Sequence, residues 1–230
     1  MTAPFISYLV TTKNGTNQLK DLLELIRNYM VGNECVVLDD YSDNEETLKI
    51  LDHYSQYTNF FIHKHALDNH YSNHKNFGKT KCNGKYIFQI DDDELPNETL
   101  LDNLKDIIDA NPSVECFLVP RLNNFIGVTE AHASQWGWRL TYNPRPSIND
   151  KAMGPFVNWP DYQFRIFKNL PHLRWERPLH EKVEGAMVIT KLPEEVELSL
   201  LHTKTIEKQV QTNLRYNRDF SKELNKGFVV

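Results

Sequence analysis

Short apolar runs alternate with helix-periodic stretches through the first half of the chain. Phe5–Val10 stops at the polar loop Thr11-Thr12-Lys13-Asn14-Gly15 and predicts a buried strand. From Asn17 onward, Leu19, Leu22, Leu23, Leu25 and Ile26 recur at helical spacing, with charge on the opposite face. Cys35–Leu38 predicts a second strand, closed by Asp39-Asp40, and the acid-rich stretch Ser42–Glu46 opens a helix that continues through Leu51. Phe60–Ile62 predicts a third strand. The polar segment from His63 to Lys85 predicts a helix ending near Asn83-Gly84. Tyr86–Ile90 predicts a fourth strand that ends on Asp91-Asp92-Asp93-Glu94, and Pro96–Thr99 opens a helix closed by Asn111-Pro112.

Strands alternating with helices predict βαβ units, a mostly parallel sheet and an α/β fold. Ligands of such sheets bind outside the carboxyl ends of the strands. The loop at Thr11, the pair Asp39-Asp40 and the cluster at Asp91 all fall there. After Phe117 the alternation stops, and Trp136, Trp138, Trp159 and Trp175 all lie in this loop-rich half. The expected organisation is one domain over 1–230, with a first half at 1–116, an irregular substrate-binding half at 117–205 and a charged terminal helix within 206–230.

Composition narrows the classes. With 230 residues, 40% of them apolar, the chain can bury one substantial core. Its 26 Lys and Arg stand against 31 Asp and Glu, so no general attraction to phosphate backbones or anionic lipid is expected. Cys35, Cys82 and Cys116 are scattered without CxxC spacing and read as reduced thiols of a cytoplasmic protein. No signal-peptide pattern and no apolar run near 18 residues occurs, so no integral membrane segment is expected. Oligomeric state leaves no trace in the pattern.

Adjacent carboxylates at a strand end repel one another unless a cation or basic side chain neutralises them, which points to an oxygen-ligated divalent metal. The alternative is an acidic helix start. On extended backbone Asp91 and Asp93 face the same side. His63, His65, His70 and His74 are irregularly spaced with no cysteine nearby and predict no zinc site.

The run Val36–Asp43, then His74-Lys75-Asn76-Phe77-Gly78, then Gly84–Ile87 leading into Asp91-Asp92-Asp93, resembles the inverting glycosyltransferases of family 2, which have the GT-A fold. Farther on, Tyr162–Lys168, Arg174-Trp175-Glu176, His180-Glu181-Lys182-Val183 and Leu200-Leu201-His202 resemble the branch that includes bacterial lipopolysaccharide-core transferases. The resemblance implies that Asp40 meets the base, that Thr11 and Thr12 line the nucleotide, and that Lys75 and Asn76 meet the diphosphate, with Asp92 in a secondary place. It implies Asp91 and Asp93 as the DxD ligands of Mn or Mg. It also raises His202 as a third ligand, where the residues alone suggest a structural histidine. Two departures stand out: Thr11 occupies a usual proline position, and Lys75 replaces an arginine, which loses bidentate recognition.

Inverting transfer needs a group that removes the acceptor hydroxyl proton. Glu181 is the candidate base and His180 its neighbour or substitute; a surface polar pair is the other reading. Trp159, Asp161 and Arg165 are the acceptor-side candidates. The expected activity is metal-dependent transfer of a hexose or pentose from a nucleotide-sugar, with UDP favoured, to a saccharide or glycan hydroxyl. One alternative acceptor is a hydroxymethylated DNA base of a virus, served by Arg139, Arg145, Lys151, Arg165, Lys168, Arg174 and Arg177. The other alternative is an inactive nucleotide- or carbohydrate-binding module.

Overall fold

The computed structural model describes residues 3–142 and 155–224, together with the backbone at 147–148 and 151–152. Strands β1 (Ile6–Thr12), β2 (Glu34–Asp39), β3 (Phe60–Lys64) and β4 (Tyr86–Asp91) alternate with helices α1 (Asn17–Arg27), α2 (Glu45–Ser55) and α3 (Tyr71–Lys79). Next come β5 (Glu94–Pro96), α4 (Glu98–Ala110), the long strand β6 (Cys116–Ile126) and the short helix α5 (Glu130–Trp136). Four strands follow: β7 (Leu140–Thr141), β8 (Ser147–Ile148), β9 (Lys151–Ala152) and β10 (Phe156–Lys168). The ribbon strands β11 (Arg174–Glu176) and β12 (Lys182–Glu184), then β13 (Ile189–Lys191), β14 (Leu200–Thr205) and α6 (Ile206–Asp219), complete the order.

The main sheet runs β3-β2-β1-β4-β10-β6-β14-β5, with β13 beside β6 and β7 beside β10. Strands β1 to β4 are mutually parallel, and β10 enters antiparallel to β4. Their apolar runs are continuous because both faces are covered. On one face Tyr8, Val10, Val37 and Phe88 pack against Leu22 and Leu23 of α1, Leu51 of α2 and Leu104 of α4. On the other, Leu9, Val36, Leu38 and Ile87 meet Phe77, Phe167, Trp175 and Val183. Asn44 caps α2 by accepting from the backbone of Glu46 and Thr47, which is what the Ser42–Glu46 stretch encodes.

Two expectations change. Helix α3 ends at Lys79, short of Asn83-Gly84. Gly84 is required instead by close approach, since a Cβ there would lie 2.5 Å from the backbone nitrogen of Ser7. The half after Phe117, expected to be irregular, carries three strands, β6, β10 and β14, that hydrogen-bond into the same sheet as β1 to β4.

The strands of this half are bent by bulges. Phe164 pairs with Leu118 and Ile166 with Phe117, so Arg165 is the extra residue of a β-bulge. Bulges kink a strand and re-aim a side chain. A wider shift between Val157 and Asp161 surrounds Trp159-Pro160.

Gly84→Ala is expected to cost about 1–3 kcal/mol through overpacking against the β1 backbone. Urea unfolding should show a lower midpoint at unchanged slope.

Candidate active site

The carboxyl ends of β1, β2 and β4 meet at one edge of the sheet, and the register decides which side chains face each other. Thr11 pairs with Asp91 across β1 and β4, and Thr12 with Asp39 across β1 and β2. Thr11 Oγ1 donates to Asp91 Oδ1 at 2.9 Å, and Thr12 Oγ1 to Asp92 Oδ2 at 2.5 Å. Asp40 accepts from the backbone of Leu67 through Oδ1 and from Lys13 Nζ through Oδ2, both at 2.9 Å. Lys13 is about half exposed, so this second partner is replaceable.

Behind the edge lies a chain of alternating charge. Lys75 Nζ stands 2.5 Å from Glu181 Oε1 and 3.3 Å from Asp91 Oδ1, over the face of Trp175. Arg165 reaches Asp91 at 2.7 Å, Glu94 at 2.6 and 3.0 Å, and Gln89 Oε1 at 2.7 Å. Arg121 then bonds Glu94 at 2.8 Å and Asp161 at 2.6 and 3.0 Å. Burial works against an ionised Asp91, but Lys75 and Arg165 outweigh it and hold this carboxyl well below the usual range.

The far end of the chain carries the histidine. Asp161 Oδ2 accepts from Asn123 Nδ2 at 2.8 Å, and Asn123 Oδ1 lies 2.7 Å from His202 Nδ1. His202 Nε2 faces Asp93 Oδ2 at 3.4 Å. Burial pushes the His202 imidazole toward its neutral form against the pull of Asp93. Asp93 stays below the usual carboxylate range despite burial, because His202 and Lys204 lie near it. Asp92 goes the other way: burial and the adjacent Asp93 push it up to about 7.

Several expected roles are revised by these contacts. Arg165 is 3% exposed and bonded to three acidic or amide side chains, so it braces the acid cluster and offers no surface to an acceptor. Asp91 has both oxygens committed to Thr11, Gln89, Lys75 and Arg165. Asp91, Asp93 and His202 do not form a three-ligand cage; among the described residues no group of three or more His, Cys, Asp or Glu is arranged to hold a metal ion. Lys75 is buried among carboxylates. Asn76 exchanges both hydrogen bonds with the backbone of Trp175 and ties α3 to β11. Trp159 packs with Leu122 and Phe156 in a small core, and Asp161 serves Arg121, Asn123 and Gln163.

His180 and Glu181 do not lie on a strand. They precede β12, and His180 has a positive φ of 52°, which turns the two side chains differently from a strand pair. Glu181 points to Lys75, and His180 Nε2 is buried without a hydrogen-bond partner. The residues that sequence reading missed are Gln89, Arg121 and Asn123. Their one signal is polarity inside apolar runs: Arg121 and Asn123 interrupt Cys116–Ile126, and Gln89 sits inside Tyr86–Ile90.

Two measurements probe this arrangement. Arg165→Met leaves Asp91 and Glu94 without a cation they are built around and should cost about 3–5 kcal/mol in chemical unfolding; Arg165→Lys, lacking the fork, should not restore it. For Asp92, a folded-state pKa above the unfolded value of about 3.9 means that the fold binds the proton more tightly. Its contribution to the metal-free protein therefore falls as pH rises from about 4 to about 7 and is level above that. Asp92→Asn removes this slope, so its melting temperature should gain on the wild type across that window.

Known proteins share this architecture. The structure of S. aureus TarS 1–349 superposes with a TM-score of 0.59 at 17% identity, covering 86% of this chain and 60% of that one. The same protein in complex with UDP-GlcNAc gives 0.60 at 15% identity, over 98% and 62%, and its UDP complex 0.58 at 16%, over 95% and 68%. The chain thus spans about three fifths of the first two of these structures, and at such identity the likeness is one of fold, the expected GT-A type. No curated protein sequence matches the chain. The family model for glycosyl transferase family 2 matches residues 7–170, most of the chain and every strand of the acidic edge, and the protein belongs to that family.

Proposed function

We propose that the protein is a metal-dependent inverting glycosyltransferase that moves a sugar from a UDP-sugar to a hydroxyl of a saccharide or glycan. The observation that carries this reading is the convergence of the Asp93–His202 pair and the Glu181–Lys75 pair on the acid-lined strand ends. The complexes of TarS with UDP and UDP-GlcNAc support uridine as the nucleotide. The motifs after residue 160 favour the lipopolysaccharide-core branch within the family. A cytoplasmic location accords with three buried free cysteines. No helix among the described residues is long and apolar enough to cross a membrane.

The donor set fits Mn or Mg. Asp93, through a carboxylate oxygen, and His202, through an imidazole nitrogen, would hold such a cation. When bound, the cation supplies positive charge to the departing diphosphate. Glu181 takes the proton of the acceptor hydroxyl as that oxygen bonds to the anomeric carbon and the bond from carbon to the diphosphate oxygen breaks on the opposite face. Lys75 holds the Glu181 carboxylate in place and sets its direction. Asp40 receives the base, with Lys13 giving way, while Thr11 and Thr12 fix the backbone beneath the nucleotide.

The acceptor side favours a saccharide. Phe125 meets His202 edge-on at 5.7 Å, Trp138 lies 5.4 Å from Phe125, and Trp136 lies 4.6 Å from Trp138. From buried Phe125 the run passes to the half-buried Trp138 and Trp136, whose rings would serve as a stacking surface for sugars. The basic residues that would serve DNA are largely committed: Arg165 is buried, Arg174 pairs with Glu176, and Lys168 bonds the Pro112 carbonyl. Arg145 and the Lys151 side chain lie outside the described residues.

Mn(II) together with one UDP-sugar should raise the melting temperature, and Asp93→Ala should lose that shift. Glu181→Gln should keep it while turnover falls about 10²–10⁴-fold. NMR of the product should show an inverted anomeric centre. Normal binding and turnover by Asp93→Ala would exclude the metal-dependent reading.

A further inference from the structure

Asn123 was singled out by no motif, yet its position is fully determined. It lies opposite His202 in the β6–β14 register and opposite Val157 in the β6–β10 register. Its Nδ2 donates to the Val157 carbonyl at 3.2 Å and to Asp161 Oδ2 at 2.8 Å. Both partners are acceptors only, so the amide cannot be turned around without setting oxygen against oxygen twice. Oδ1 must therefore face His202 Nδ1, 2.7 Å away, and Nδ1 must carry the hydrogen.

Asp161 is fixed in turn. Its Oδ2 takes two nitrogens of Arg121, at 2.6 and 3.0 Å, and its Oδ1 accepts from Gln163 at 2.9 Å. Arg121 is itself held by the buried carboxylate of Glu94. The edge of Phe125 packs on the His202 ring at 83°. Ring plane and tautomer are both set before any ligand arrives.

A nitrogen that ligates a cation carries no proton, and the second ring nitrogen of a ligating histidine donates to an oxygen that orients it. We propose that Asn123 is the positioning residue that presents His202 Nε2, as a bare lone pair beside Asp93, to the divalent cation, with Asp161 and Arg121 locking Asn123 in that orientation. This rests on the metal-dependent reading above. It also reassigns Asp161 from the acceptor to the support of a metal ligand.

The test uses the whole protein, with Mn(II) as the probe, alone and with UDP. Asn123→Leu removes the acceptor at similar size and should weaken Mn(II) binding about tenfold to a hundredfold, by titration calorimetry or by the EPR signal of free Mn(II). Nitrogen-15 NMR of the metal-free wild type, at alkaline pH where the ring is neutral, should show His202 with its hydrogen on Nδ1. In Asn123→Leu the hydrogen should distribute over both nitrogens. Should that variant fold poorly, the wild-type His202 tautomer, read by the same nitrogen-15 NMR, carries the test by itself. An Nε2–H tautomer in the wild type, or undiminished Mn(II) affinity in Asn123→Leu, overturns the assignment. Absence of Mn(II) binding by the wild type, even with UDP, overturns the metal-dependent reading itself and the assignment with it.

Discussion

Eight acidic side chains, from Asp39 and Asp40 to Glu181, crowd the strand ends or the interior behind them, and a fold that buried them unpaired would not form. Three cations interleave with four of them. Lys75 lies between Glu181 and Asp91, Arg165 between Asp91 and Glu94, and Arg121 between Glu94 and Asp161. Each cation comes from a different element, α3, β10 and β6, so neutralising the acids also ties α3 and β10 to β4, and β6 to β5 and β10. The same contacts leave Asp93 outside the ladder, facing His202 with Lys204 nearby. Asp93 is thereby distinguished from the carboxylates that the three cations of the ladder already satisfy.

Much of the first half was legible because its physics is local. Both faces of β1 and β2 are covered, so their residues form unbroken apolar runs, and the acids that close β2 and β4 mark the ligand edge directly. The second half was read poorly for an equally physical reason. Strands β6 and β10 direct Arg121, Asn123, Asp161 and Arg165 into the interior, where they satisfy one another. Buried charge, two bulges and the prolines at 120 and 160 erase the alternation by which a strand is recognised.

The same reason explains which site residues were misplaced. Sequence position put Arg165 and Asp161 beside the acceptor because charged residues in an aromatic half suggest a polar ligand. Their partners, however, are protein groups from distant stretches, 71 residues away for Arg165 and Glu94 and 40 for Arg121 and Asp161. No local pattern encodes such pairing. Asp93, His202 and Glu181 are named by their motifs, and the fold brings Asp93 to His202 and Glu181 to Lys75. Asn123, which has no motif, becomes visible only through the hydrogen-bond directions of its neighbours.

The bulge at Arg165 has a consequence for how the chain comes into being. During synthesis the acids of β4 emerge more than seventy residues before the guanidinium that neutralises them, and β4 meanwhile exposes an unpaired edge. The half that carries the acidic edge is thus made early but finished late. Until β10 arrives, the nascent segment carries a charged, open-edged sheet that neither packs nor binds as the mature one does. Neutralisation of the β4 acids in this sense waits on Arg165 of the other half.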